Sequence, residues 1–263
     1  MKDSTYAFPN IMQSILLLVM IFVSHFFASK LFSFVENETL INLLSEVFKL
    51  ILLLIFLSYM TKLGKIDKAQ FKLKVPNGIV LLCGTLCAIF ILFLPMSDIS
   101  YFDETYLEDY VVDLITQRTN VFTFIAMCLL GPVFEELIFR GVILAGLLKR
   151  YSPTVAILLS SLLFGIGHIS IVLPFVFGLF MGWLFFRTSN LIYCIIIHCF
   201  VNFIGFAMRY AVFSKRASIE DINKYLEINT LTKGVISLVI FCSCIFVLHF
   251  IMKKRTSNVS RQQ

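Results

Sequence analysis

The stretch Gly131-Pro132-Val133-Phe134-Glu135-Glu136-Leu137-Ile138-Phe139-Arg140 decides how this chain is read. It sets a proline, two adjacent acids and an arginine inside an apolar run extending over 120–148. An ionisable side chain near a bilayer centre costs at least ~2.5–3.5 kcal/mol on insertion scales, so several together need an enclosing structure. A proline inside a helix removes one backbone hydrogen bond and bends the axis, which suits a cavity at the depth of the acids. Successive helical residues point about 100° apart, so the two glutamates are not expected to face one partner. Glu136 and Arg140 stand four apart with the acid first, the favoured order for an ion pair, and this leaves Glu135 for chemistry. The plain alternative is an ion-paired packing element with no reactivity.

Two further apolar segments are interrupted in the same way. His168 closes Phe164-Gly165-Ile166-Gly167-His168, and the flanking glycines permit close helix approach. His198 and Asn202 are four apart and share a helix face, so both can donate hydrogen bonds toward one point, as an oxyanion requires. Interhelical hydrogen bonding is the alternative for each. His25 and His249 have no such neighbour in sequence and read as packing residues.

Composition agrees with a membrane setting. Of 263 residues, 59% are hydrophobic and 14% charged, and mean hydropathy is +0.92. The apolar runs fall near 10–34, 40–62, 77–97, 120–148, 153–168, 170–187, 190–213 and 234–252. The expected fold is an all-α, polytopic membrane bundle of about eight transmembrane helices, with the catalytic core in the middle four. The run Ile11 to Phe34 is too long for a secretory h-region and reads as the first span.

Net charge is +6, and its placement is informative. Basic residues cluster at Lys62, Lys65, Lys68, Lys72 and Lys74, at Lys149-Arg150, at Arg187 and at Lys253-Lys254-Arg255, whereas Asp98 to Asp113 is acidic. Eight spans bring every basic cluster to the cytoplasmic side together with both termini, which satisfies the positive-inside rule and gives no reason to expect nucleic acid. Within the acidic connection, Tyr106, Leu107, Tyr110, Val111 and Leu114 recur at helical spacing, as in a surface helix. The polar tail after Lys253 is expected to be disordered. The seven cysteines all lie in apolar segments without metal-ligand spacing and read as buried free thiols. The chain divides into N-terminal helices with the acidic loop (1–118), a core (119–213) and a last helix with a basic tail (214–263).

Taken together, Glu135-Glu136-x-x-x-Arg140, Phe164-x-x-x-His168 and His198-x-x-x-Asn202 resemble the three ordered motifs of the CPBP intramembrane proteases, the CAAX proteases and bacteriocin-processing enzymes. The resemblance covers about 120–205 and implies a type II CAAX-like endopeptidase acting on a membrane-associated peptide or lipidated protein. It implies that Glu135 is the general base and that His168 holds the attacking water. It further implies that His198 and Asn202 stabilise the oxyanion while Arg140 positions Glu136. Resemblance to the archaeal Ras-converting type favours a metal-free glutamate mechanism with no cofactor. The alternative is a zinc metalloendopeptidase with Glu135, His168 and His198 as ligands.

The Lys-, Asn-, Ile- and Phe-rich composition points to a bacterial plasma membrane. There the family is linked to bacteriocin immunity and peptide-pheromone processing, with a sensor kinase or a bacteriocin system as partner. The competing expectation is a non-catalytic immunity or regulatory scaffold that keeps the protease fold. A transporter subunit ranks below both, since no internal repeat is visible.

Overall fold

The computed structural model describes residues 8–71, 73–93, 119–168, 171–215 and 230–259. Among these, the secondary structure is helical, with no strand. The helices are α1 (Ile11–Leu31), α2 (Glu38–Lys62), α3 (Gly78–Phe93), α4 (Val121–Leu147), α5 (Pro153–Ile166), α6 (Val172–Thr188), α7 (Leu191–Lys215) and α8 (Thr230–Val259), with a 3-10 turn at Lys68–Phe71. Helices α1, α2, α4 and α7 are long and apolar enough to cross a membrane, and the other four contain shorter apolar stretches. The protein is an integral membrane protein. Helix α5, at 14 residues, extends only about 21 Å. The proposed surface helix and the acidic connection at 98–118 lie outside the described residues.

One expectation is corrected at the C-terminal end. The backbone of α8 remains helical to Val259, past the polar boundary at Lys253. Nothing in Lys253-Lys254-Arg255-Thr256-Ser257-Asn258 stops a helix: there is no glycine or proline, and lysine and arginine are good helix formers that suit a C-terminal end.

The chain forms two compact units, Met1–Val75 with Asn120–Cys199, and Pro76–Thr119 with Phe200–Gln263. In the first unit, asparagine caps set the helix starts. Asn10 forms a capping box with Gln13, and Asn37 accepts from the Thr39 and Leu40 amides. Asn120 caps α4 through the Thr123 amide and also donates to Thr39 Oγ1 at 2.7 Å. That bond levels the N-termini of α2 and α4, so the two helices run parallel. The core lies where α4, α5, α6 and the start of α7 meet, at Ile143, Leu144, Leu147, Met181, Leu184, Leu191 and Ile197, each fully buried.

Small residues permit that packing. A Cβ on Gly178 of α6 would lie 3.1 Å from Ser161 Cα of α5, so backbone meets backbone there. Ser189, at φ 46°, ends α6 in the left-handed region. Its neighbour Asn190 then exchanges two hydrogen bonds with the Lys74 backbone, at 2.9 and 3.1 Å, fixing the connector after α2. In the second unit α3 packs on α8 through Phe90 and Phe241, whose ring centroids are 4.7 Å apart.

Candidate active site

The backbone of α4 is irregular where its charges sit. Ala126–Leu130 and Leu137–Leu144 are π-helical, and the α-helical Gly131–Glu136 lies between them. The Gly131 amide bonds back to the Ala126 carbonyl, five residues earlier. Pro132 therefore falls in the first turn of the α segment, where its missing N–H costs least. The expected proline bend is thus absorbed by a π turn, a device frequent at functional sites.

Glu136 and Arg140 form the ion pair that their spacing predicts, at 2.9 Å with side chains 0% and 1% exposed. The same carboxylate oxygen, Oε1, lies 2.8 Å from Nδ1 of His198 on α7. Arg140 is held further by the Gly178 carbonyl at 3.5 Å and by the face of Phe164, 4.6 Å from its guanidinium carbon. Breaking such a pair by removing one partner costs about 3–5 kcal/mol, because the survivor is an unpaired buried charge.

Glu135 occupies the other side of the same imidazole. Its Oε2 lies 3.7 Å from His198 Nε2 and 3.9 Å from His168 Nε2. The expectation that the adjacent glutamates cannot face one partner is therefore corrected. An imidazole carries nitrogens on two different edges, and His198 presents Nδ1 to Glu136 and Nε2 to Glu135. His168, just past the end of α5, directs its Nδ1 at the Phe164 carbonyl, 2.8 Å away. A carbonyl only accepts, so Nδ1 carries the proton and Nε2 of a neutral ring presents a lone pair. An ionised Glu136 imposes the same tautomer on His198.

Glu135 Oε2 is buried without a direct hydrogen bond to protein. Its side chain is 29% exposed and that of His168 34%, whereas Glu136, Arg140 and His198 are nearly or fully enclosed. Glu135 and His168 are therefore the partly open members of the cluster, and the other three lie enclosed behind them. Spacings of 3.7–3.9 Å suit a small molecule bridging the three atoms better than direct contact.

Zinc fits these residues in chemistry but not in spacing. Two histidines anchored at Nδ1 and a carboxylate form a familiar donor set. Adjacent ligands of a tetrahedral zinc lie only about 3.3 Å apart, however, and the observed separations are wider. Among the described residues no group of three or more His, Cys, Asp or Glu is arranged to hold a metal ion.

Asn202 lies four residues beyond His198 along α7, half-buried, and falls in the second unit. Sequence reasoning quoted Phe164 only as a motif position without a role, and passed over Phe139 and Phe177 in the first unit. Phe164 touches Arg140 and His168 (ring centroid 4.6 Å from the histidine's) and meets Phe139 edge-on at 5.0 Å, while Phe177 backs His198 at 5.1 Å. With 29 phenylalanines in the chain, periodicity alone could not single out Phe139 and Phe177.

A second intramembrane ion pair was also missed, although its signal was the same as that of the first. Glu46 and Lys49 of α2 pair at 2.7 Å with side chains 18% and 10% exposed. Lys49 Nζ lies 5.2 Å from the ring centroid of Phe134, the residue before Glu135. Two ionisable residues three apart within an apolar run were legible as an exception in α2 just as in α4.

Residues 117–204 match the family model described as Type II CAAX prenyl endopeptidase Rce1-like. No curated protein and no solved structure matches the chain. The matched segment, about a third of the chain, contains Glu135, Glu136, Arg140, His168, His198 and Asn202. Over that segment the chain is similar to the type II CAAX prenyl endopeptidases of the Rce1-like kind.

Proposed function

We propose that the protein is an intramembrane endopeptidase that hydrolyses a membrane-associated peptide or lipidated protein by glutamate-activated water attack. The observation that carries this reading is the placement of Glu135 Oε2 between the Nε2 atoms of His198 and His168, with both rings fixed through Nδ1. A water there gives one proton to Glu135 while its oxygen attacks the peptide carbonyl carbon. Glu135 then passes that proton to the leaving nitrogen as the C–N bond breaks. His168 Nε2 orients the water by accepting its second hydrogen bond.

For His198 Nε2 to donate to the oxyanion, the ring must carry both protons, and the carboxylates of Glu136 and Glu135 flank the ring on its two edges. Asn202 enters as the second oxyanion donor on its spacing alone. Arg140 and Glu136 are positioning residues. Zinc is assigned no step, on the donor spacings given above.

The same reading has the chain cross a bacterial plasma membrane about eight times, with both termini cytoplasmic. The apolar helices lie on the segments expected from hydropathy, and an even number of spans returns the chain to its starting side. Bacteriocin immunity and peptide-pheromone processing are the physiological settings that the family resemblance suggests, with a sensor kinase or bacteriocin-system component as partner.

Glu135→Gln tests the assignment, because it keeps shape and hydrogen bonding but cannot act as a base. Turnover of a prenylated or membrane-anchored peptide by the purified variant should fall about 10²–10⁴-fold with helix content unchanged. Full biological function of Glu135→Gln would reject the protease reading in favour of the scaffold.

A further inference from the structure

The C-terminal half of α2 is graded along its length. Ile51, Leu54 and Ile55 are exposed and apolar, Ser58 and Tyr59 follow, and Lys62 ends the same side of the helix. From Ile51 to Lys62, about 16 Å along the helix, the surface passes from hydrocarbon-like to hydroxylated to cationic. A shallow, open trough of about 460 Å³ runs along this face, lined by α2 alone through Ile51, Leu54, Ile55, Ser58, Tyr59 and Lys62. It shares Ser58 and Lys62 with a second cavity of about 250 Å³, whose remaining lining includes Thr61, Lys68 and Phe71.

At the head of the groove two exposed lysines, Lys62 and Lys68, line one cavity, and the turn that carries Lys68 is anchored by packing. The Phe71 ring packs directly on the Gly141 backbone, where an added Cβ would come 2.6 Å from its Cε1. That seat fixes the short turn Lys68–Phe71 against α4 and holds Lys68 opposite Lys62. Among the described residues neither lysine has an acidic partner. The nearby Asp67 instead caps its own turn by accepting from the Ala69 amide at 2.8 Å. Thr61 spends its hydroxyl proton on the Leu57 carbonyl. Among the described residues the cavity head therefore offers two cationic donors without an ion-pair partner, beside the single carboxylate of Asp67 and next to an apolar trough.

We propose that this groove seats an anionic phospholipid of the surrounding membrane, with one acyl chain along Ile51 to Ile55 and its phosphate between Lys62 and Lys68. Charge complementarity selects an anionic headgroup over a zwitterionic one, and the apolar trough selects a lipid over a free phosphate. The inference is independent of the proposed chemistry at Glu135.

The full chain, purified in neutral detergent and offered equimolar phosphatidylglycerol and phosphatidylcholine of identical chains, should retain phosphatidylglycerol preferentially in native mass spectrometry. Lys62→Gln with Lys68→Gln should weaken that retention about 30-fold, taking each lysine as worth roughly fivefold. Ser58→Phe, which keeps both lysines but fills the junction of the two cavities, should also weaken it, whereas Lys149→Gln, outside the groove, should not. Equal retention of the two lipids, or retention unchanged in the double variant or in Ser58→Phe, would overturn the proposal. Displacement of the lipid by soluble glycerol phosphate would overturn the lipid assignment in favour of a phosphate site.

Discussion

Glu136 and His198, 62 positions apart, share a buried hydrogen bond of 2.8 Å that ties α4 to α7. The carboxylate oxygen that makes it is also the one bound by Arg140. One atom thus joins an ion pair local to a helix to the imidazole whose far edge meets Glu135. The folding role of Glu136 and the geometry at Glu135 are consequently inseparable.

Glu136→Ala should be among the most destabilising single changes in the chain, at about 3–5 kcal/mol, since it strands Arg140 where its side chain is 1% exposed. Thermal unfolding in detergent and the level of protein in the membrane both report this. Glu136→Leu combined with Arg140→Met should recover much of the loss, because an apolar pair carries no desolvation cost. A double variant no better than the single one would show that the hydrogen bond to His198, and not the charge balance, dominates.

Lys49→Ala should destabilise by a similar amount. Glu46 would be left without its cation and Phe134 without the ammonium against its ring. Lys49→Arg should restore most of the stability, since a guanidinium serves both contacts. Equal losses for Ala and Arg would mean that the shape of lysine, and not its charge, is what the site needs. Chemical denaturation in mixed micelles reads the difference.

Phe164→Leu separates the ring from the backbone. The substitution leaves the carbonyl that orients His168 but removes the face against Arg140. A stability loss of about 1–2 kcal/mol is expected from the cation–π contact and the lost aromatic packing. If the ring only fills space, Phe164→Met should be nearly neutral.

Much of this was legible because it is local. Helix α2 runs over Glu38–Lys62 where hydropathy placed 40–62, and α4 over Val121–Leu147 where it placed 120–148. The Glu136–Arg140 pair followed from a four-residue spacing. What escaped was set by contacts between helices. That His198 serves both glutamates depends on where α7 packs, and the ring of Phe164 earns its role only from the approach of α4. The π turns of α4 were equally hidden, since Gly131-Pro132 signals an interruption without naming its form. Glu46 and Lys49 differ from these. Their signal was present in the sequence, masked by the long apolar run around them.

Metal dependence is the next test. The glutamate mechanism predicts that peptidase activity survives exhaustive chelation and that the purified protein carries no stoichiometric zinc by elemental analysis. Closure of the 3.7 and 3.9 Å gaps to about 3.3 Å would be needed for a tetrahedral zinc. Activity abolished by chelator and restored by Zn²⁺ would show that the three side chains make that movement.

Topology supplies the last prediction. Thr39 at the start of α2 and Asn120 at the start of α4 are bonded at 2.7 Å, so both N-terminal ends lie on one side of the membrane. The opposite ends of these helices carry Lys62 and Lys149-Arg150, and positive residues are retained in the cytoplasm. The connection over 98–118 leads into the Asn120 end and is acidic, so it should face outward. Single cysteines placed at Ser100 or Thr116 in a cysteine-free chain should react with an impermeant maleimide in intact cells. A cysteine at Gly64 should react only after lysis. The reverse pattern would invert the bundle, place the acidic connection in the cytoplasm and require an odd number of spans or an inverted start.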